Sequence, residues 1–233
     1  MATSSSNESG PTLPRQRMSR ARLAVVISGA GSNMLAIDDA CRRGDLHADV
    51  VCVISNRADA AGLTHAAARG IPTSLVTPIN GESRESYDER LASVIHAANA
   101  DWIVLAGYMR ILSSHFVGEF TGRLLNIHPS LLPAHKGLHT HRRAIEARDA
   151  QHGATVHFVT AELDGGPRIL RGVLTLRPSD DEESLQRRVQ RIEHAIYPEA
   201  LELLARGRLR QTDAGAELDG QPLVEPLERH FDF

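Results

Sequence analysis

Apolar positions in this chain fall into short runs separated by amphipathic stretches. Residues 23–27 (Leu-Ala-Val-Val-Ile) form a β-branched apolar run, the mark of a strand buried on both faces. Ser28-Gly29-Ala30-Gly31-Ser32-Asn33 punctuates it, and residues 34–43 then show helical spacing. Residues 50–55 read as a second strand, 59–69 as a helix ended by Gly70, and 73–76 as a third strand. A helix capped by Ser83 follows over 83–98, then a fourth strand over 102–106 and a fifth over 123–127. Strands and helices alternating at this spacing imply βαβ units around a parallel sheet. Beyond residue 127 the pattern loosens. A Pro- and His-rich loop spans 129–140, and a short helix runs to Arg148. Two longer strands are expected over 154–160 and 168–176, joined by a turn containing Asp164-Gly165-Gly166. A long helix over 181–206 is expected to break or bend at Pro198. The tail from Arg208 reads as a small hairpin around Asp219-Gly220 followed by a polar end. The expected fold is α/β: a mostly parallel Rossmann-like sheet with helices on both faces, its C-terminal part carrying longer strands and a long helix.

No repeat or linker divides residues 21–233, so they read as one domain. Residues 1–20 carry Ser4-Ser5-Ser6, Gly10 and two prolines without the apolar centre of a secretory signal, and read as a disordered extension. At 233 residues, 42% apolar and 24% charged, the chain has the composition of an ordinary globular protein with a substantial core. A net charge of −3 argues against a nucleic-acid surface, and no apolar stretch has the length of a membrane span. Cys41 and Cys52, without CxxC spacing, read as buried thiols in a reducing compartment, which places the protein in the cytoplasm.

Three residue types at strand ends carry the candidate chemistry. Asn126 and His128 lie two apart at the end of the fifth strand and so share a side. An amide there is suited to hydrogen-bonding an oxyanion, a role worth on the order of 3 kcal/mol, and an imidazole is suited to moving a proton at neutral pH. Asp164 has the chemistry to hold that imidazole in its charged form. Together they describe a site for acyl-type transfer. Each residue also has a plainer role: a loop-bonding Asn, a structural His before Pro129, an Asp opening a Gly-rich turn. Gly29-Ala30-Gly31 lacks the third glycine of a dinucleotide fingerprint, since Met34 stands there, and Ser55-Asn56-Arg57 supplies no ribose-binding acid. A nicotinamide cofactor is therefore not expected. The loop reads equally as a phosphate cradle at a helix start or as a tight turn capped by Ser32 or Asn33.

Several motifs carry a family resemblance. They are Ile27-Ser-Gly-Ala-Gly-Ser-Asn33, Ser83-Arg84-Glu85, Ala106-Gly-Tyr-Met-Arg-Ile-Leu112, Asn126-Ile-His-Pro-Ser-Leu-Leu-Pro133 and Gly137-Leu-His-Thr-His141. His152-Gly153, residues 156–160, Glu162-Leu-Asp-Gly-Gly-Pro167 and Glu193-His-Ala-Ile-Tyr-Pro198 complete the set. In this order, across nearly the whole chain from about residue 22, they closely resemble the folate-dependent phosphoribosylglycinamide formyltransferases and their fold. The resemblance implies formyl transfer from 10-formyltetrahydrofolate, as co-substrate, to the amine of glycinamide ribonucleotide in purine synthesis. By the same analogy Asn126, His128 and Asp164 are catalytic. Gly31, Ser32, Asn33, Gln190 and Glu193 meet the ribonucleotide. Arg84, Met109, Arg110, Ile111, Leu112, Asn126, Thr160, Ala161, Glu162, Leu163 and Asp164 meet the folate. Small-molecule substrates are the implied partners, with no nucleic acid, no membrane and no metal, in a monomer or weak homodimer. Ala30 stands where some relatives have Asn, and Ala134-His135-Lys136 replaces a Pro-containing version, which bears on loop rigidity.

Four alternatives remain open. Methionyl-tRNA formyltransferase and formyltetrahydrofolate hydrolase share the Asn-x-His…Asp pattern but would carry a further C-terminal or N-terminal domain. A zinc protein would use His139 and His141, which share a face if that segment is a strand, but lacks further spaced ligands. A phosphosugar-binding module without catalysis would bind ligand and survive loss of His128.

Overall fold

The computed structural model describes residues 19–233, so the extension expected over residues 1–20 lies almost wholly outside the described residues. Within them the first half alternates as its apolar pattern demands. It runs β1 (Ala21–Ile27), α1 (Ser32–Arg43), β2 (Ala48–Ser55), α2 (Ala61–Ala68), β3 (Thr73–Leu75), α3 (Arg84–Ala97), β4 (Trp102–Leu105), α4 (Ser114–Glu119) and β5 (Leu124–His128). The second half is α5 (Thr140–Ala147), β6 (Gln151–Phe158), β7 (Arg168–Thr175), α6 (Glu182–Ala205), β8 (Leu209–Thr212), β9 (Gly215–Leu218), β10 (Gln221–Pro222) and β11 (Leu227–His230).

Among the described residues eight strands form one sheet in the order β11-β7-β6-β5-β4-β1-β2-β3. Strands β3, β2, β1, β4 and β5 are mutually parallel; β6 runs against β5 and β7, and β11 pairs parallel with β7. Strand side chains alternate between two cores. Leu23, Val25 and Ile27 join the residues of α1 and α6 on one face. Ala24 and Val26 join Tyr87, Leu91 and Ile95 from α3, Phe116 from α4 and Phe120 just after it on the other. Helices therefore cover both faces, and the chain reverses direction across the sheet between β1 and β4. In open α/β sheets ligands bind at such a switch point, beyond the strands' carboxyl ends.

Caps follow local chemistry. Ser83 accepts from the Ser86 N–H at the start of α3, and Asp181 and Ser184 form a reciprocal capping box on α6.

The structure differs from the sequence expectation at three places. Helix α6 runs unbroken through Pro198, because Ile196, Tyr197, Ala200, Leu201 and Leu204 around it are all buried in the core. Tertiary packing offsets the missing backbone donor. The six-residue α4, with Phe116 and Val117 buried, was not expected; one and a half turns are too few to show a period. The tail forms a three-stranded antiparallel sheet, β8 to β10, with Asp219-Gly220 in its second turn, and its polar end is the edge strand β11. Backbone pairing with β7, not apolar burial, places that strand. No described helix is long and apolar enough to cross a membrane.

Candidate active site

Strand β5 presents Leu125 and Ile127 to the α1/α6 core, which leaves Asn126 and His128 together on the opposite face, as their spacing predicts. His128 is buried, 7% exposed. Its Nδ1 lies 3.4 Å from Asp164 Oδ2, and its Nε2 donates across 3.0 Å to the His135 carbonyl. Both ring nitrogens thus face oxygen acceptors. Asp164 arrives by a route the sequence did not suggest. Because β6 is antiparallel to β5, with Leu125 opposite Phe158, its carboxyl end lies beside the start of β5. The connection to β7 must fold back along β5 to bring Asp164 to His128.

That return is a tight turn in which the Gly165 N–H donates to the Glu162 carbonyl and Asp164 takes φ 49°. Asp tolerates this left-handed conformation better than most residues. At Gly166 a side chain is excluded, since a Cβ would sit 1.9 Å from the Phe158 carbonyl oxygen. The Asp164 side chain is fixed further by the Gly137 N–H, 2.8 Å from Oδ2.

Sequence reasoning missed His157. It sits directly opposite Asn126 in the β5/β6 pairing, so the two side chains share a face. Only the strand register could have revealed it. Burial pushes its pKa down to about 4, against the opposing effects of the Phe158 carbonyl and Asp164, so the ring is neutral near pH 7. Its Nδ1 is 2.8 Å from the Phe158 carbonyl, which can only accept, so the single ring proton is on Nδ1. Nε2 is then a lone pair and accepts from Asn126 Nδ2 across 3.2 Å. His157 thereby fixes which end of the Asn126 amide presents N–H groups. A second missed residue is Thr155, whose hydroxyl donates to the Ser130 carbonyl and accepts from the Leu132 N–H, tying the loop after β5 to β6.

The residues expected to meet the ribonucleotide come together. Gly31 takes φ 75° as the residue before α1, and Ser32 and Asn33 begin the helix. Gln190 Nε2 donates to Ser32 Oγ at 2.9 Å, and Asn33 Nδ2 donates to Glu193 Oε2 at 2.9 Å. Burial raises the Glu193 pKa to about 7, only partly countered by the Asn33 hydrogen bond. Asn33 Oδ1 is buried without a partner. Helix α6, which carries Gln190 and Glu193, is bolted to the sheet by the buried Tyr197 hydroxyl, 3.0 Å from the Leu105 carbonyl and 3.2 Å from that of Leu125.

The residues expected to meet the folate form a looser group. Met109 N–H donates to Ser28 Oγ at 2.8 Å, which joins the loops after β4 and β1. The Arg110 guanidinium lies 4.2 Å from the Tyr87 ring centre, and its Nε is buried without a partner. Met109 and Ile111 are exposed at 71% and 58%, and Leu163 at 53%; Leu112 is half-buried. Thr160 Oγ1 hydrogen-bonds the Glu162 carbonyl, Ala161 is exposed, and Glu162 pairs with Lys136 Nζ at 2.6 Å. Arg84 stands exposed three residues before Tyr87, on the same side of α3. No described contact ties it to the rest. His139 and His141 are not on a strand: they open α5 and take different partners, Arg142 and His152. No group of three metal-ligating side chains among the described residues is arranged to hold an ion.

Residues 21–201 match the formyl transferase family. Phosphoribosylglycinamide formyltransferase of Escherichia coli (strain K12) is 50% identical over 201 residues, covering 86% of this chain and 95% of that protein. The solved structure of the phosphoribosylglycinamide formyltransferase of Coxiella burnetii superposes with a TM-score of 0.85 at 43% identity, covering 89% of this chain and 99% of that one. A formyltetrahydrofolate deformylase from Pseudomonas syringae is similar at 26% identity and a TM-score of 0.79, and this chain covers 66% of it.

Proposed function

The chain belongs to the formyl transferase family, and from that membership we infer that it transfers the formyl group of 10-formyltetrahydrofolate to the amine of N1-(5-phospho-D-ribosyl)glycinamide. The products are the N-formyl ribonucleotide and tetrahydrofolate, in the synthesis of the purine nucleotide IMP. The observation that carries this reading is Asn126 and His128 on one face of β5, with Asp164 folded back onto the imidazole.

In the proposed mechanism the substrate amine attacks the formyl carbon, and the carbonyl electrons move to oxygen. The Asn126 N–H not engaged by His157 and an N–H of His128 meet that oxygen, which stabilises charge present only in the transition state. The His135 carbonyl is the resting partner of His128 Nε2, and the formyl oxygen takes its place. Asp164 Oδ2, 3.4 Å from Nδ1, holds the ring in orientation. As the carbon–nitrogen bond to the folate breaks, the leaving nitrogen takes a proton delivered by His128, and the proton released by the attacking amine, passed through water, restores His128.

Gly31, Ser32 and Asn33 cradle the phosphate, while Gln190 and Glu193 meet the ribose and glycinamide part. The buried, unpartnered Asn33 Oδ1 fits a polar substrate there. Arg84, Met109, Arg110, Ile111, Leu112 and residues 160–163 line the folate slot. Its exposed apolar side chains and the unpartnered Arg110 Nε fit a flat molecule with a polar tail. We further propose one domain over residues 21–233, a cytoplasmic location and a monomer or weak homodimer.

A folate absorbance assay tests the reaction with three acceptors: glycinamide ribonucleotide, initiator methionyl-tRNA and water. Turnover is expected with the ribonucleotide. Release of tetrahydrofolate with water alone would instead make the chain a deformylase, and release with the tRNA alone would move the acceptor to RNA.

A further inference from the structure

We propose that His65 is a positioning residue of the phosphate site: its imidazole grips the phosphate loop from behind and turns an amide toward the ligand. This rests on the ribonucleotide reading above. The first turns of α2 abut the loop after β1. The Gly62 N–H donates to the Gly29 carbonyl at 3.0 Å, and one residue further along the loop His65 Nδ1 lies 3.2 Å from the Ala30 carbonyl. A carbonyl only accepts, so His65 donates. The approach is close: a Cβ on Gly31 would fall 2.8 Å from Gly62 Cα.

A trans peptide places its C=O and N–H on opposite sides. When α2 holds the carbonyls of Gly29 and Ala30, the N–H groups of Ala30 and Gly31 point away from it. Gly31, at φ 75°, then turns the chain so that successive N–H groups converge ahead of α1, the geometry of an anion-binding nest. Among the described residues neither of these two N–H groups meets a protein acceptor. Apart from His65, the side-chain partners of the loop among the described residues are Asn56, Gln190 and Glu193, none of which can carry a positive charge. The spacing Gly62-x-x-His65 gives no motif in the sequence; only the packing of α2 against the loop exposes it.

The test compares wild type, His65→Ala and His65→Gln on two readouts. One is steady-state kinetics with glycinamide ribonucleotide and with its phosphate-free ribonucleoside. The other is calorimetric binding of ribose 5-phosphate. A single exposed hydrogen bond should make a modest difference. His65→Ala is expected to raise the ribonucleotide KM and the ribose 5-phosphate Kd about fivefold, with kcat and the folate KM unchanged. His65→Gln, which keeps an N–H donor, is expected to recover most of the loss. An unchanged KM and Kd in His65→Ala, or an equal loss on the ribonucleoside that lacks the phosphate, overturns the proposal. Weakened ribose 5-phosphate binding in a protein that fails to formylate would support the His65 assignment and sink the assigned reaction, so the two failures are separable.

Discussion

Each proposed catalytic side chain has its orientation set by a neighbour, and the neighbours make the roles testable. His128→Ala and Asp164→Ala are expected to lower kcat by about 10²- to 10⁴-fold while the ribonucleotide Kd measured by calorimetry holds, as for groups acting in the transition state. A matching loss of affinity would make them binding residues instead. Asn126→Ala should cost about 10²- to 10³-fold in kcat. His157→Leu is a subtler case. Its ring is neutral and keeps its proton on Nδ1, so it serves as a fixed acceptor for the Asn126 amide. Removing that acceptor should reduce kcat about tenfold with little change in KM. The dependence should be flat from pH 6 upward, because the His157 pKa lies near 4. A His157 variant whose activity varied with pH in that range, relative to wild type, would count against this account.

Two elements turn local geometry into site geometry. The turn before β7 admits only glycine at position 166. Gly166→Ala is expected to shift Asp164 and lower kcat while leaving global unfolding cooperative, observable as reduced activity with an intact far-ultraviolet circular dichroism spectrum. The contact between α1 and α6 carries a pH signature. Glu193 holds its proton more tightly folded than unfolded, with its pKa raised from 4.5 to about 7. Between those values the folded state binds more protons, so this group's contribution is fully present below about pH 4.5 and is lost as pH rises through 7, on the order of 3 kcal/mol. Glu193→Gln keeps the shape and removes the titration. Urea midpoints at pH 5 and pH 8 should therefore differ less in Glu193→Gln than in wild type; identical slopes would show that Glu193 does not titrate in this window.

At the scale of the molecule, Tyr197 links the helix that carries Gln190 and Glu193 to β4 and β5, the strands that lead into the proposed folate and formyl-transfer sites. Tyr197→Phe leaves the Leu105 and Leu125 carbonyls without their shared donor, and should destabilise the fold by about 1–3 kcal/mol in urea unfolding. The parallel half of the sheet was legible because buried strands and capped helices leave apolar runs and Ser83-type signals at regular spacing. Asn126, His128 and Asp164 were legible because short motifs hold them. His157, Thr155 and the path of Asp164 were not, because each depends on how β5 and β6 align, and alignment between strands leaves no mark in either strand alone. Strand β11 was hidden for a related reason: its polar residues give no apolar pattern, and its partner β7 lies more than fifty residues earlier. The reversed strand β6 also bears on how activity is born. A slip of one residue between β5 and β6 would carry His157 to the wrong face and leave Asn126 without its acceptor, with most secondary structure intact. Refolding chains should therefore regain helical content before they regain turnover, the enzyme becoming competent only when β5 and β6 have found their register.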